Sequence, residues 1–142
     1  MLSEKNTWFM IIIVGITLSV FSNNVFGESL IKYFTDEDGT AYSYDKDSVK
    51  RQSGKVKVWT TAILGAESRS EIQKNVSIKG FENLSFTRTL DEINCKEGRT
   101  RVVTMIYYDV KRKVLYTITE QTDWRSIVPD SINDLLKSSV CK

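Results

Sequence analysis

The sequence predicts an α+β fold: a twisted antiparallel sheet of about six strands with a C-terminal helix packed on it and one disulfide. Three observations carry this reading. Short runs rich in β-branched and aromatic residues recur between turn signals, as strands require. The chain's one proline, Pro129, interrupts none of those runs. Clear helical spacing of apolar residues, opened by a capping signal, appears just before the C-terminus.

Taken in order, Leu30 to Phe34 is apolar, Asp36-Glu37-Asp38-Gly39 is a turn cluster, and Ala41 to Tyr44 resumes with alternation. This is the pattern of a β-hairpin closed by Asp-Gly. Asp45 to Gln52 reads as a single helical turn or a tight crossover with Ser48 as its cap, and Ser53-Gly54 as the next turn. Lys55 to Leu64 is the strongest strand. Val56, Val58, Thr60 and Ala62 fall on one face at period two, and Lys55, Lys57, Trp59 and Thr61 on the other. Gly65 to Leu84 has only scattered apolar residues and is expected to form an extended insertion loop with a short helix. Phe86 to Cys95, Arg99 to Tyr108 and Val114 to Thr119 read as a meander, turning at Lys96-Glu97-Gly98 and at residues 109–113. Pro129-Asp130-Ser131 then opens the final helix, with Ser131 and Asp134 placed as a capping box. Ile132, Leu135, Leu136, Ser139 and Val140 make its apolar face, and Cys141 lies off that stripe.

The first 27 residues stand apart. Lys5 supplies a sparse positive region, Trp8 to Phe21 is a largely apolar run, and Ser22-Asn23-Asn24 is a polar break before Val25-Phe26-Gly27. That is the layout of a secretory signal peptide over 1–27, with a folded domain over 28–142. The competing reading is a retained anchor over the uncharged stretch from Asn6 to Gly27. Cleavage leaves no membrane span, and the domain is expected to be periplasmic, surface-associated or secreted. Export also bears on the two cysteines. Cys95 and Cys141 are an even pair in an oxidising compartment, where such a pair closes as a structural staple. A redox-active pair would need a C-x-x-C motif or a basic, exposed setting.

Composition mostly excludes. Among 142 residues there is no histidine, which removes Ser-His-Asp and Cys-His catalysis, His-ligated zinc and a histidine pH switch. Lys+Arg 20 against Asp+Glu 18 gives a net charge of +2, which supplies no argument for nucleic acid. Two cysteines cannot build a four-thiolate metal site. No phosphate loop, nucleophile elbow or metal-ligand spacing occurs, so no cofactor is expected. The acid pairs Asp36/Asp38, Asp45/Asp47 and Asp91/Glu92 read as solvated turn residues, and the basic clusters as solvated strand edges and turns.

Several segments nevertheless line up with one family. Tyr42, Tyr44 and Asp45, then Asp47-Ser48-Val49-Lys50-Arg51, then Gly54 through Trp59, resemble the opening of surface-adhesin protein E-like domains. Leu90-Asp91-Glu92-Ile93-Asn94-Cys95-Lys96 with Arg99 and Arg101, and Trp124 through Ser131 with the closing Val140-Cys141-Lys142, continue the resemblance. It implies an antiparallel sheet of about six strands whose C-terminal helix is tied on by the Cys95–Cys141 bond. It also implies an exported bacterial protein, and its name points to an adhesin that binds host matrix proteins.

The resulting expectation is a non-catalytic exported domain that binds extracellular or envelope proteins or a glycan, through a sheet edge or through a patch at Lys57, Trp59 and Tyr107. The alternative is a structural or assembly component of the envelope with no host ligand. An unpaired sheet edge also leaves room for a dimer.

Overall fold

The computed structural model describes residues 29–142. The signal peptide read over 1–27, and the anchor that competes with it, lie outside the described residues. The elements are β1 (Leu30–Thr35), β2 (Ala41–Asp45), β3 (Lys50–Gln52), β4 (Lys55–Ile63), α1 (Ala66–Asn75), β5 (Leu84–Asn94), β6 (Arg99–Asp109), β7 (Val114–Ile118), β8 (Arg125–Ser126) and α2 (Ile132–Val140).

All pairings are antiparallel, and the main path runs β1-β2-β4-β5-β6-β7. The two shortest strands extend its edges. β3 pairs with the start of β4 where β2 does not reach, and β8 pairs with the start of β6 where β7 does not reach. The steps β1-β2, β5-β6 and β6-β7 are hairpins, whereas β2 reaches β4 past the short β3, and β4 reaches β5 through the segment that holds α1. Ser53-Gly54 closes β3 to β4 with both residues at positive φ, 52° and 73°, the requirement of a type I′ turn.

Period-two alternation holds along β4. Val56 and Val58 are buried while Lys57 between them is exposed. Val56 pairs with Ile93 across to β5, and α2 lays Leu136 and Val140 on the three of them. Tyr33, Tyr44, Val49, Ile127 and both cysteines pack around this cluster. Cys95, the residue after β5, is bonded to Cys141, the residue after α2, with Cα atoms 5.7 Å apart. The staple thus ties the helix to the middle of the sheet. Among the described residues no helix is long and apolar enough to cross a membrane.

Three local expectations change, while the segment over 65–84 does hold a short helix, the ten-residue α1, with no buried residue. Its cap comes from elsewhere in the chain. Gly65 at the N-cap has no side chain, and the Asp38 carboxylate in the β1–β2 turn accepts the Ser68 N–H at 2.8 Å. Glycine is required there, because a Cβ would fall 2.3 Å from the Asp38 carbonyl oxygen. Next, the 3₁₀ turn at Lys46–Ser48 is capped by Asp45, not Ser48. Ser48 bridges instead, donating to the Asp45 carbonyl and accepting from Trp59 N–H. In α2, Ser131 caps Asp134 as expected, but the Asp134 carboxylate reaches back to the N–H of Asp130 rather than of Ser131. Finally, the buried side of α2 is Leu136 and Val140, and Leu135 stands 38% exposed at its edge.

Candidate functional site

The alternation that built the core gives the sheet two chemically different faces. On the face away from both helices, β4 and β5 place Lys55, Lys57 and Trp59 beside Asn94, Glu92 and Leu90. Arg101 of β6 sits opposite Glu92 and holds it in a two-nitrogen ion pair at 2.6 and 2.7 Å. Glu92 is only 6% exposed, so this pair is shielded from solvent far more than an ordinary surface bridge.

Two indole rings complete the row. The Arg101 guanidinium lies 4.5 Å from the centre of the Trp124 ring, and the Lys55 ammonium 5.6 Å from the same ring. Farther along, Arg88 lies 5.0 Å from Trp59. Cations within about 6 Å of a ring face gain from its quadrupole. Lys57 opens onto a shallow depression of about 450 Å³ shared with Lys50, Lys55 and Glu92.

The helix-side face differs along its length. Past Val58, the same face of the sheet carries Thr60, Thr87 and Thr89, all buried, and Asp91. These floor a cleft of about 440 Å³ walled by Tyr33 and Tyr42 on one side, Tyr107 on another, and α1 with the start of α2. The Thr60 hydroxyl donates to the Asp91 carboxylate at 2.7 Å. Burial raises the Asp91 carboxyl to about 6, and the hydrogen bond from Thr60 only partly offsets it. Tyr33 is pushed well above the usual phenol range, first by burial and then by the charge of Asp91.

The three residues expected to form one patch are therefore divided. Lys57 and Trp59 share the outer face. Tyr107 is in register with Thr87 and Ala62 on the helix side, where it packs against Phe81 at 5.2 Å between ring centres. Two acids expected to be solvated turn residues are not. Asp91 and Glu92 are adjacent in mid-strand, so the pleat sends one into the cleft and the other into the outer row. The signal was present: Asp91 falls in phase with Thr87, Thr89 and Ile93, and an acid in phase with a core face is unusual. Asp36 and Asp38 do lie in a turn, but Asp38 is engaged by Thr40 N–H and hydroxyl as well as by Ser68. A hydrogen bond shared with Asp36, followed by those from Thr40 and Ser68, holds its carboxyl well below the usual range. Among the described residues no group of His, Cys, Asp and Glu side chains is arranged to hold a metal ion.

A stapled antiparallel sheet with helices on one face and a cation–aromatic row on the other defines a small α+β domain built to present surface. The family model for Surface-adhesin protein E matches residues 30–142, and the chain belongs to that family. Its solved likenesses include the structure of Haemophilus influenzae protein E, at 14% identity and a TM-score of 0.55, covering 79% of this chain and 83% of that one. A second crystal form of Haemophilus influenzae protein E gives 14% identity and a TM-score of 0.53, covering 70% and 79%. At that identity the likeness establishes the fold. No curated protein matches the chain. The expected sheet, C-terminal helix and Cys95–Cys141 bond are all present.

Proposed function

We propose that this chain is an exported, non-catalytic domain that holds an extracellular or envelope protein against the outer face of its sheet. The row from Trp59 to Trp124 carries the reading. Tryptophan and arginine are enriched among the residues that anchor protein interfaces, Trp through a large rigid ring and Arg through a guanidinium that stacks and pairs. Here Glu92 fixes Arg101, and Arg101 lies over Trp124, so much of that ordering exists before any partner arrives. Lys57 beside the row adds an exposed cation that favours an acidic rim on the partner or an anionic glycan. Membership of a surface-adhesin family supports the same placement, at the cell surface with a host-derived partner.

The test is crosslinking capture from native envelopes and from host extracellular matrix, using the wild-type domain, Trp124→Ala, and the double variant Lys57→Ala/Trp59→Ala. Loss of a matrix protein in either variant, with the near-UV spectrum of the fold retained, supports the proposal. Unchanged capture overturns the placement on this face. Capture of envelope proteins alone replaces the adhesin reading with an assembly component.

A further inference from the structure

We propose that the cleft on the helix side of the sheet binds an organic ammonium ion, with the Asp91 carboxylate as its counter-ion and the tyrosine rings as its cage. The lining is the first argument. This chain has more basic than acidic residues, yet among the described residues no Lys or Arg lines the cleft. Its charged lining residues are Asp91 on the floor and Glu71 at the rim on α1. A pocket that excludes cations from its own wall in a net basic protein is complementary to a cation from outside.

The floor is the second argument. Thr60, Thr87 and Thr89 occupy positions where the neighbouring half of the same face carries valine and isoleucine. Buried hydroxyls and a carboxylate weaken a core unless something uses them. Among the described residues, the Thr60 hydroxyl is the one hydrogen-bond donor to the Asp91 carboxylate. Arg101 and Arg125 share a smaller cavity of about 130 Å³ with Asp91 on its α2 side. Arg101 is committed to Glu92 across the sheet, and Arg125 is exposed at the margin.

The rings are the third. Tyr33, Tyr42 and Tyr107 line the cleft from β1, β2 and β6. Carboxylate at the base with aromatic walls is the chemistry that recognises an ammonium head. A bare divalent metal wants six or more oxygen ligands, and Asp91 with neutral hydroxyls on the floor and Glu71 at the rim do not supply them. The volume suits a small organic ligand or the end of a lysine side chain. The site lies on the opposite face from the tryptophan row, so this inference and the adhesin reading stand or fall separately.

The test is an NMR titration of the intact domain with n-butylammonium, with blocked lysine amide, and with 1-butanol as the neutral control. Saturable shifts at the amides of Thr60, Thr89 and Met105 with either amine, and none with 1-butanol, are expected. Saturation by blocked lysine alone assigns a protein side chain as the source, and saturation by n-butylammonium alone assigns a free amine. Asp91→Asn, which keeps the shape and removes the charge, should weaken the binding by about tenfold or more. Lowering the pH through about 6 should weaken it in the wild type, because the proton competes for the same carboxylate. The tyrosines that face Asp91 have raised pKa values and stay neutral through that window. Equal shifts with 1-butanol, no saturation by either amine, or an unchanged affinity in Asp91→Asn would each overturn the proposal, and the control on wild type stands even if the variant misfolds.

Discussion

The helix-side face of the sheet is two regions built on the same two strands, β4 and β5. Near the start of β4 it is Val56, Val58 and Ile93, closed by Leu136, Val140 and the disulfide. One step along the same strands it is Thr60, Thr89, Thr87 and Asp91, and it is left open as a cleft. Backbone pairing is continuous through both, so strand geometry does not separate them. Side-chain chemistry does. The apolar end buries area and is held shut. The polar end keeps an ionisable group where burial penalises its charge. Stability is concentrated in one region and recognition chemistry in the other.

That contrast can be broken from either side. The largest effect is expected from opening the staple. Cys95→Ser with Cys141→Ser removes a link spanning 46 residues and should cost about 2–5 kcal/mol in denaturant unfolding. Leu136→Ala attacks the same region through packing and should cost about 2–4 kcal/mol, with the cleft otherwise unaltered. Asp91→Asn should do the opposite, stabilising the protein at neutral pH by about 1–3 kcal/mol.

The sign follows from the raised pKa. The folded protein keeps this proton up to about pH 6, whereas the unfolded chain releases it near the ordinary 3.8. Stability therefore falls as pH climbs through that window, and the full cost applies above it. Asn at 91 should remove this slope and give no gain below about pH 4. The smallest effect is local. Asp38→Asn weakens the acceptor at Ser68 N–H, so amide exchange should quicken in α1 while the global unfolding midpoint stays nearly unchanged.

The apolar region was legible in the sequence, and the polar one was not, for a physical reason. Alternation in Lys55–Ile63 exposes a buried face directly, and Ser131 with Asp134 marks the start of α2. Both are short-range signals. The role of Asp91 depends on which neighbours share its face, and adjacency to Glu92 suggested a solvated acid pair instead. Tyr107 and Trp59 are both aromatics in strands, and sequence alone does not separate them. Which face each takes depends on register across two strand pairs, including a bulge at Leu90/Asp91 that no local pattern announces. The ordering of α1 rests on Asp38, thirty residues from Ser68, in a segment whose own sequence has no apolar stripe.

The bond between Cys95 and Cys141 also sets how the domain carries mechanical load. A pull applied between Leu30 and Lys142 leaves the sheet through Cys95, at the end of β5, and passes directly to the C-terminal residues. The backbone between the two cysteines, including β6, β7, β8 and α2, is bypassed by the bond and carries no tension along the chain. The tension instead runs along the chain from β1 to β5, through β3 and α1 as well as β2 and β4. A pull on the two ends should therefore part β1 from β2 and β2 from β4 while the backbone of α2 stays slack.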